Sequence, residues 1–358
     1  MTADPGEWDT LIDAARQLLE PVEGLPERLR NHLVANNTVA RFAGESTAAP
    51  SRIAYVDGAL ATEQTDALVW VAAVGATHAD TDLPTHEVAS VLPVSGDTDR
   101  ATSALMATCE LQACISAVRD GCDLVVMDGG IATPLVSVVA GLMAANKHVR
   151  ATVTDRYDAI DLTTVISDYV AAVLEGRVCA LPKQDTAAVY TASWAQQFAQ
   201  HLPDGAADVL SMLRDRPLLT QILAPGEWVR PRPANLTTLE AKTKTSTGVI
   251  TLPIDVSYER LRDATTLHAT YFAPQRLPGR IVKVEYAEGE PGAWDTAQAL
   301  IGLFDSATMG PRVREPLGQH LVDAAAKRAV TALMGEMLGR ASRALGQGSV
   351  DRYRTVRV

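Results

Sequence analysis

The stretch CDLVVMDGGIATP (Cys122–Pro134) decides the fold. Leu124 to Met127 is a short, unbroken apolar run, the pattern of a strand buried on both faces of a sheet. It ends in Asp128-Gly129-Gly130. A strand end fixes a carboxylate in place, and the glycines permit a tight turn while leaving room for a ligand.

Working outward, ATSALMATCELQACISAVRDG (Ala101–Gly121) has helical periodicity, with Asp97 or Asp99 as its cap and Gly121 as its stop. Before it stand RIAYVDGALAT (Arg52–Thr62), DALVWVAAVGAT (Asp66–Thr77) and HEVASVLPVS (His86–Ser95), three strands that read as an antiparallel meander. After it, LVSVVAGLMAANKH is helical, as is Leu162–Glu175, and VCALPKQDT (Val178–Thr186) is a strand carrying Lys183 near its end. Meander, helix, strand, helix and strand describe an α/β fold, a mixed sheet flanked by helices in the order of an RNase H-like core.

The flanking regions are less regular. Residues 1–45 form a helical lead-in with apolar positions at Leu11, Ala14, Ala15, Leu18 and Leu19, and residues 46–345 are expected to form one domain. Within it, 190–235 is a helical insertion that ends in the Pro-rich PGEWVRPRPAN. Strands are predicted at Val249–Asp255 and Arg280–Glu288, and helices at Ala297–Phe304 and from Gln319 to Leu345. The tail, 346–358, is basic.

The 358 residues are 47% hydrophobic and 21% charged, an ordinary globular composition that excludes collagen-like and disordered classes. Apolar runs such as Pro134–Ala145 are shorter than the roughly 20 residues a bilayer needs. The acidic, amphipathic N-terminus lacks the pattern of a signal peptide, so the expected location is cytoplasmic. Cys109, Cys114, Cys122 and Cys179 include no CxxC pair, which argues against a zinc site or a disulfide framework. The net charge of −11, from 43 acidic and 32 basic residues, excludes binding of nucleic acid by bulk charge alone. Such a role would need a local basic groove, metal ions or a partner that delivers the strand.

Three carboxylates stand out. Asp57 is expected at the end of the first strand, Glu110 in the middle of an apolar helix, and Asp128 at the end of the buried strand. An RNase H-like sheet makes the two strands neighbours, and the packed helix brings Glu110 to the same spot. Clustered carboxylates repel unless a divalent cation neutralises them, and hard oxygen donors suit Mg²⁺ or Mn²⁺. From these residues alone, two readings remain open: a metal site, or turn-forming Asp-Gly pairs with Glu110 on a solvent stripe. His78 and His86 flank HADTDLPTHE, which reads as a polar hairpin loop.

IAYVDGALAT, the helix with Glu110 and DLVVMDGGIATPL resemble the NurA family of nucleases. In order along the chain, VCALPKQDT, RDRPLLTQILAPGEWVRP, RIVKVEYAEG and REPLGQHLVDAAAKRAV resemble further segments of that family, so the resemblance spans roughly Ile53 to Val330. It implies a metal-dependent DNA nuclease of RNase H-like fold using Mn²⁺ or Mg²⁺, with Asp57, Glu110 and Asp128 as catalytic metal ligands. It places Asp323 on the C-terminal helix as the last ligand, with His320 one turn earlier as the competitor. Lys183 is implied as a phosphate contact, and Asp215 as a structural cap or a peripheral ligand. It also implies a homodimer that acts on DNA with a HerA/FtsK-like hexameric ATPase, in end resection and repair or in defence. A catalytically silent clamp or motor adaptor of the same fold is the alternative.

Overall fold

The structure is a computed structural model and describes residues 24–42, 50–183, 188–202, 204–234, 242–245, 248–251, 254–288, 293–310 and 313–345. The apolar positions expected between Leu11 and Leu19, and the basic tail, lie outside the described residues. The chain divides into two compact units. The larger contains 46–182, 233–269 and 284–358; the smaller contains 1–45, 183–232 and 270–283. The helical stretch within 190–235 thus belongs mostly to the smaller unit.

The larger unit opens with the meander β1 (Ile53–Gln64), β2 (Leu68–His78) and β3 (His86–Pro93). Helix α1 (Thr98–Arg119), strand β4 (Leu124–Met127), helices α2 (Thr133–Leu142), α3 (Lys147–Ala159) and α4 (Leu162–Leu174), and strand β5 (Val178–Ala180) follow. β1 pairs antiparallel with β2 and parallel with β4, and β4 pairs parallel with β5. From β6 (Val282–Ala287), Glu285 and Tyr286 pair antiparallel with Ala180 and Cys179. The long helix α5 (Leu317–Leu345) packs on β1 and β2.

Helix α1 is the core helix of this unit. By length and composition it could cross a membrane, but its apolar surface is taken up inside the protein. Its buried residues include Ala101, Ala104, Ala107, Ala113 and Ala117, small side chains that let the sheet and α2 come close. Its end follows the expected pattern: Gly121 sits at φ 86°, the Gly121 N–H reaches Val118 O at 3.1 Å and the Cys122 N–H reaches Ala117 O at 3.1 Å. Its start does not. Asp97 caps no α1 amide; its carboxylate accepts the Asn146 N–H at 2.8 Å, and Asn146 in turn caps α3.

Three boundaries differ from expectation. The Asp57-Gly58 pair makes no turn, because β1 runs through it with Gly58 paired to Gly75. Asp57 is therefore the fifth of twelve residues in its strand, although the parallel partner β4 stops beside it. The strand expected to reach Lys183 ends at Ala180, and the strand expected over Val249–Asp255 is Gly248–Thr251, with Asp255 inside a helix, Ile254–Arg262.

In the smaller unit, helix Leu25–Ala35 buries Leu25, Leu29 and Leu33, one residue per turn on a single face. They join Tyr190, Trp194, Phe198, Leu218, Leu219 and Ile222 in a separate core. Each such leucine contributes about 1.5–3 kcal/mol of burial. Arg30 holds Glu227 through two hydrogen bonds of 2.6 and 2.8 Å, which fixes this helix to the strand Glu227–Val229.

Candidate active site

The site is built where the β1–β4 ladder stops. Val56 lies opposite Met127, and the last bond of the ladder runs from the Asp128 N–H to Val56 O at 2.9 Å. One more residue of parallel pairing would set the Asp128 carbonyl on the Gly58 N–H. The chain instead turns away through Gly129, at φ 137°, a conformation open to glycine and strained for other residues. The Gly58 amide is taken by the Glu110 carboxylate, which arrives from α1. A side chain at Gly58 would overlap Glu110, so the missing Cβ is what admits the carboxylate.

Glu110 is 8% exposed. Burial pushes its carboxyl up to about 8; the nearby Asp128 charge acts in the same direction, and the Gly58 hydrogen bond pulls against both. Such a group binds either a proton or a cation at neutral pH.

Asp128 is held from the C-terminal helix. Gln319 Nε2 donates to Asp128 Oδ1 at 2.7 Å and makes a longer contact of 3.5 Å to Leu181 O. The turn beyond Asp128 is pinned by Glu285, whose Oε2 accepts the Ile131 N–H at 2.9 Å. Tyr169 adds a bond from its hydroxyl to Ile131 O at 2.7 Å. Burial, with Cys114, Glu285 and Glu110 nearby, pushes the Tyr169 hydroxyl well up, so it stays a neutral donor.

Asp57 shares its face of β1 with Tyr55, two residues away. The Tyr55 ring packs on Gly318 at the start of α5, where any side chain would overlap it. Glu110 therefore comes to the strand end from the α1 side, while Asp57 and Gln319 belong to the α5 side. Among the described residues, no three His, Cys, Asp or Glu side chains stand close enough together to hold a metal ion jointly.

The remaining sequence candidates have these partners. Asp323, one turn after Gln319 and largely buried, pairs with the exposed Lys327 at 2.8 Å. His320 is half exposed, with Glu315 at 3.6 Å. Lys183 is exposed in the smaller unit, and its carbonyl accepts from Arg216. Asp215 is a structural anchor. It is fully buried and accepts the Val189, Tyr190 and Thr191 amides at 3.0, 3.0 and 2.9 Å, and so fixes the start of helix Val189–Phe198. His86 bonds Ser116 at 2.9 Å and belongs to the packing of β3 on α1.

Two residues were missed. Gln319 is one position before His320 and one helical turn before Asp323, and a search for ionisable ligands passes over an amide. Glu285 carried a usable signal, a lone acid inside the strand run VKVEYA.

No protein-family model matches the sequence, and no curated protein does. Solved structures do match. The NurA nuclease from Sulfolobus solfataricus superposes with a TM-score of 0.55 at 13% identity, over 95% of this chain and 98% of that one. A second NurA structure gives 0.51 at 12% identity, over 89% and 94%. A NurA structure with manganese gives 0.51 at 10% identity, over 92% and 98%. The chain has a NurA-like fold.

Proposed function

We propose that the protein is a metal-dependent DNA nuclease that hydrolyses phosphodiester bonds. The observation that carries this reading is the Glu110–Asp128 pair: two acids brought together at a strand end, the first buried and taken by the Gly58 amide, the second held by Gln319. The donor set fits a hard divalent cation. Hard carboxylate oxygens suit such an ion. Asp128 and Glu110 would hold the ion; Asp57, on the opposite face of the adjoining strand, would complete the set only if its side chain is drawn in when the ion binds. A bound Mn²⁺ or Mg²⁺ supplies Lewis acidity for the attack of water on a phosphodiester. Manganese in a NurA structure of similar fold supports the choice of ion.

The protein's own groups do the rest. Gly58 holds Glu110 by its amide, Gln319 holds Asp128 by its carboxamide, and Glu285 holds the turn between them and α2. Charge is also segregated. The described residues of the smaller unit carry eleven Arg and Lys against five Asp and Glu, although the whole chain is at −11. That local excess supports a polyanionic substrate. The reading extends to a homodimer working with a HerA-like hexameric ATPase, which co-purification from the native host would test.

Digestion of plasmid and oligonucleotide DNA with Mn²⁺, Mg²⁺ or EDTA tests the activity. Cleavage with either ion and none in EDTA is expected. Undiminished cleavage in excess EDTA overturns the metal reading, and DNA binding without cleavage under any condition leaves a clamp.

A further inference from the structure

We infer that Gln319 is a positioning residue for Asp128, holding one oxygen of its carboxylate. The inference rests on the metal reading of Asp128 given above. A carboxylate has two oxygens and rotates about its bond to Cβ, so it presents one oxygen steadily only if the other is held. Gln319 does this at 2.7 Å, a short hydrogen bond. Its second amide proton faces Leu181 O, in the segment just after β5, at 3.5 Å.

The side chain is well placed to be rigid. Gln319 is 3% exposed, at the start of α5, and the preceding Gly318 lies flat against the Tyr55 ring. The helix therefore cannot shift towards or away from β1 without breaking that contact, and the carboxamide is carried at a fixed height over the strand end. Being neutral and acting as a donor, Gln319 adds no negative charge beside Glu110. Gln319 thus orders Asp128 without competing for the ion, the part played by outer hydrogen-bond partners at metal sites.

The test is Mn²⁺ binding by calorimetry on the intact protein, with thermal melting of the same samples. Gln319→Met keeps the length of the side chain and removes both donors; Gln319→Asn keeps the carboxamide but draws it back by one methylene. Both are expected to weaken Mn²⁺ binding by about tenfold to a hundredfold. Their cleavage should return towards the wild-type rate as Mn²⁺ is raised, since the ligand itself remains. If Gln319→Met melts early, Gln319→Asn carries the comparison. Unchanged Mn²⁺ affinity in a folded Gln319 variant overturns the inference. Asp128→Asn is the control: if it abolishes Mn²⁺ binding while the Gln319 variants do not weaken it, only the role of Gln319 fails. If Asp128→Asn also binds Mn²⁺ as wild type does, the metal reading fails with it.

Discussion

Gly58 on β1 and Gly75 on β2 lie directly opposite one another, and α1 comes close to the sheet at both. A side chain at Gly58 would overlap the Glu110 carboxylate, and one at Gly75 would overlap the Cys109 carbonyl in the helix backbone. The same residue pair therefore sets how deep the helix sits and where its one buried acid emerges.

The two glycines should fail differently. In Gly75→Ala the clash is with backbone, which cannot step aside, so the variant should lose about 1–3 kcal/mol of stability and melt several degrees lower. In Gly58→Ala the clash is with the end of a side chain. Glu110 is displaced and its bond to the Gly58 amide breaks, so cleavage should collapse with a smaller change in melting temperature. Melting curves and cleavage rates on both variants check this. A Gly58→Ala protein that cuts at the wild-type rate would show that Glu110 is not used where it stands.

The pH behaviour of the metal-free protein follows from Glu110. Its folded pKa, about 8, is above that of an unfolded glutamate. The stability that this group contributes is fully present below the unfolded value and is lost as pH rises through the folded one, because the unfolded chain ionises first. Metal-free protein should accordingly lose stability between roughly pH 4.5 and 8 on this account, and Glu110→Gln should lack that part of the slope and melt higher at pH 8. In the wild type, a cation must displace a proton below pH 8. Mn²⁺ affinity should then rise by up to about tenfold per pH unit until Glu110 has titrated. Melting scans with and without Mn²⁺ across this range measure both effects. A flat Mn²⁺ affinity would contradict the assignment.

Much of this arrangement was legible in the sequence because it rests on local pattern. The apolar run before Asp128, the periodicity around Glu110 and the β-branched, apolar runs of β1 and β2 each report their own burial, and the element order follows from them. Asp57 shows what local pattern misses. An Asp-Gly pair signals a turn, but pairing with β2 along nearly the whole strand outweighs that preference, and the strand passes straight through. The C-terminal helix shows a second limit. Its position on the sheet depends on Gly318 meeting Tyr55, a contact across more than 250 residues, and a shift of one residue along the helix would exchange Gln319 for His320, a shift of one turn for Asp323. No periodicity in the helix itself carries that register.

Asp215 should behave as a structural residue. Asp215→Ala leaves three helix-start amides without an acceptor in a buried setting, and each unmet buried donor costs about 1–3 kcal/mol. A loss of about 3 kcal/mol or more in chemical denaturation is expected. Mn²⁺ affinity of the remaining folded protein should be unchanged. Weakened metal binding at full stability would instead make Asp215 a ligand.

The most direct test of the site is Asp128→Asn, with the cleavage rate in Mn²⁺ and the metal-free melting temperature measured on one sample. Asparagine keeps the volume, still accepts from Gln319 through its Oδ1, and removes the charge that adds to the effect of burial on Glu110. The fold should hold or gain stability at neutral pH, while cleavage falls by about two orders of magnitude or more. A folded Asp128→Asn protein that binds DNA and cuts at near the wild-type rate would contradict the proposed site.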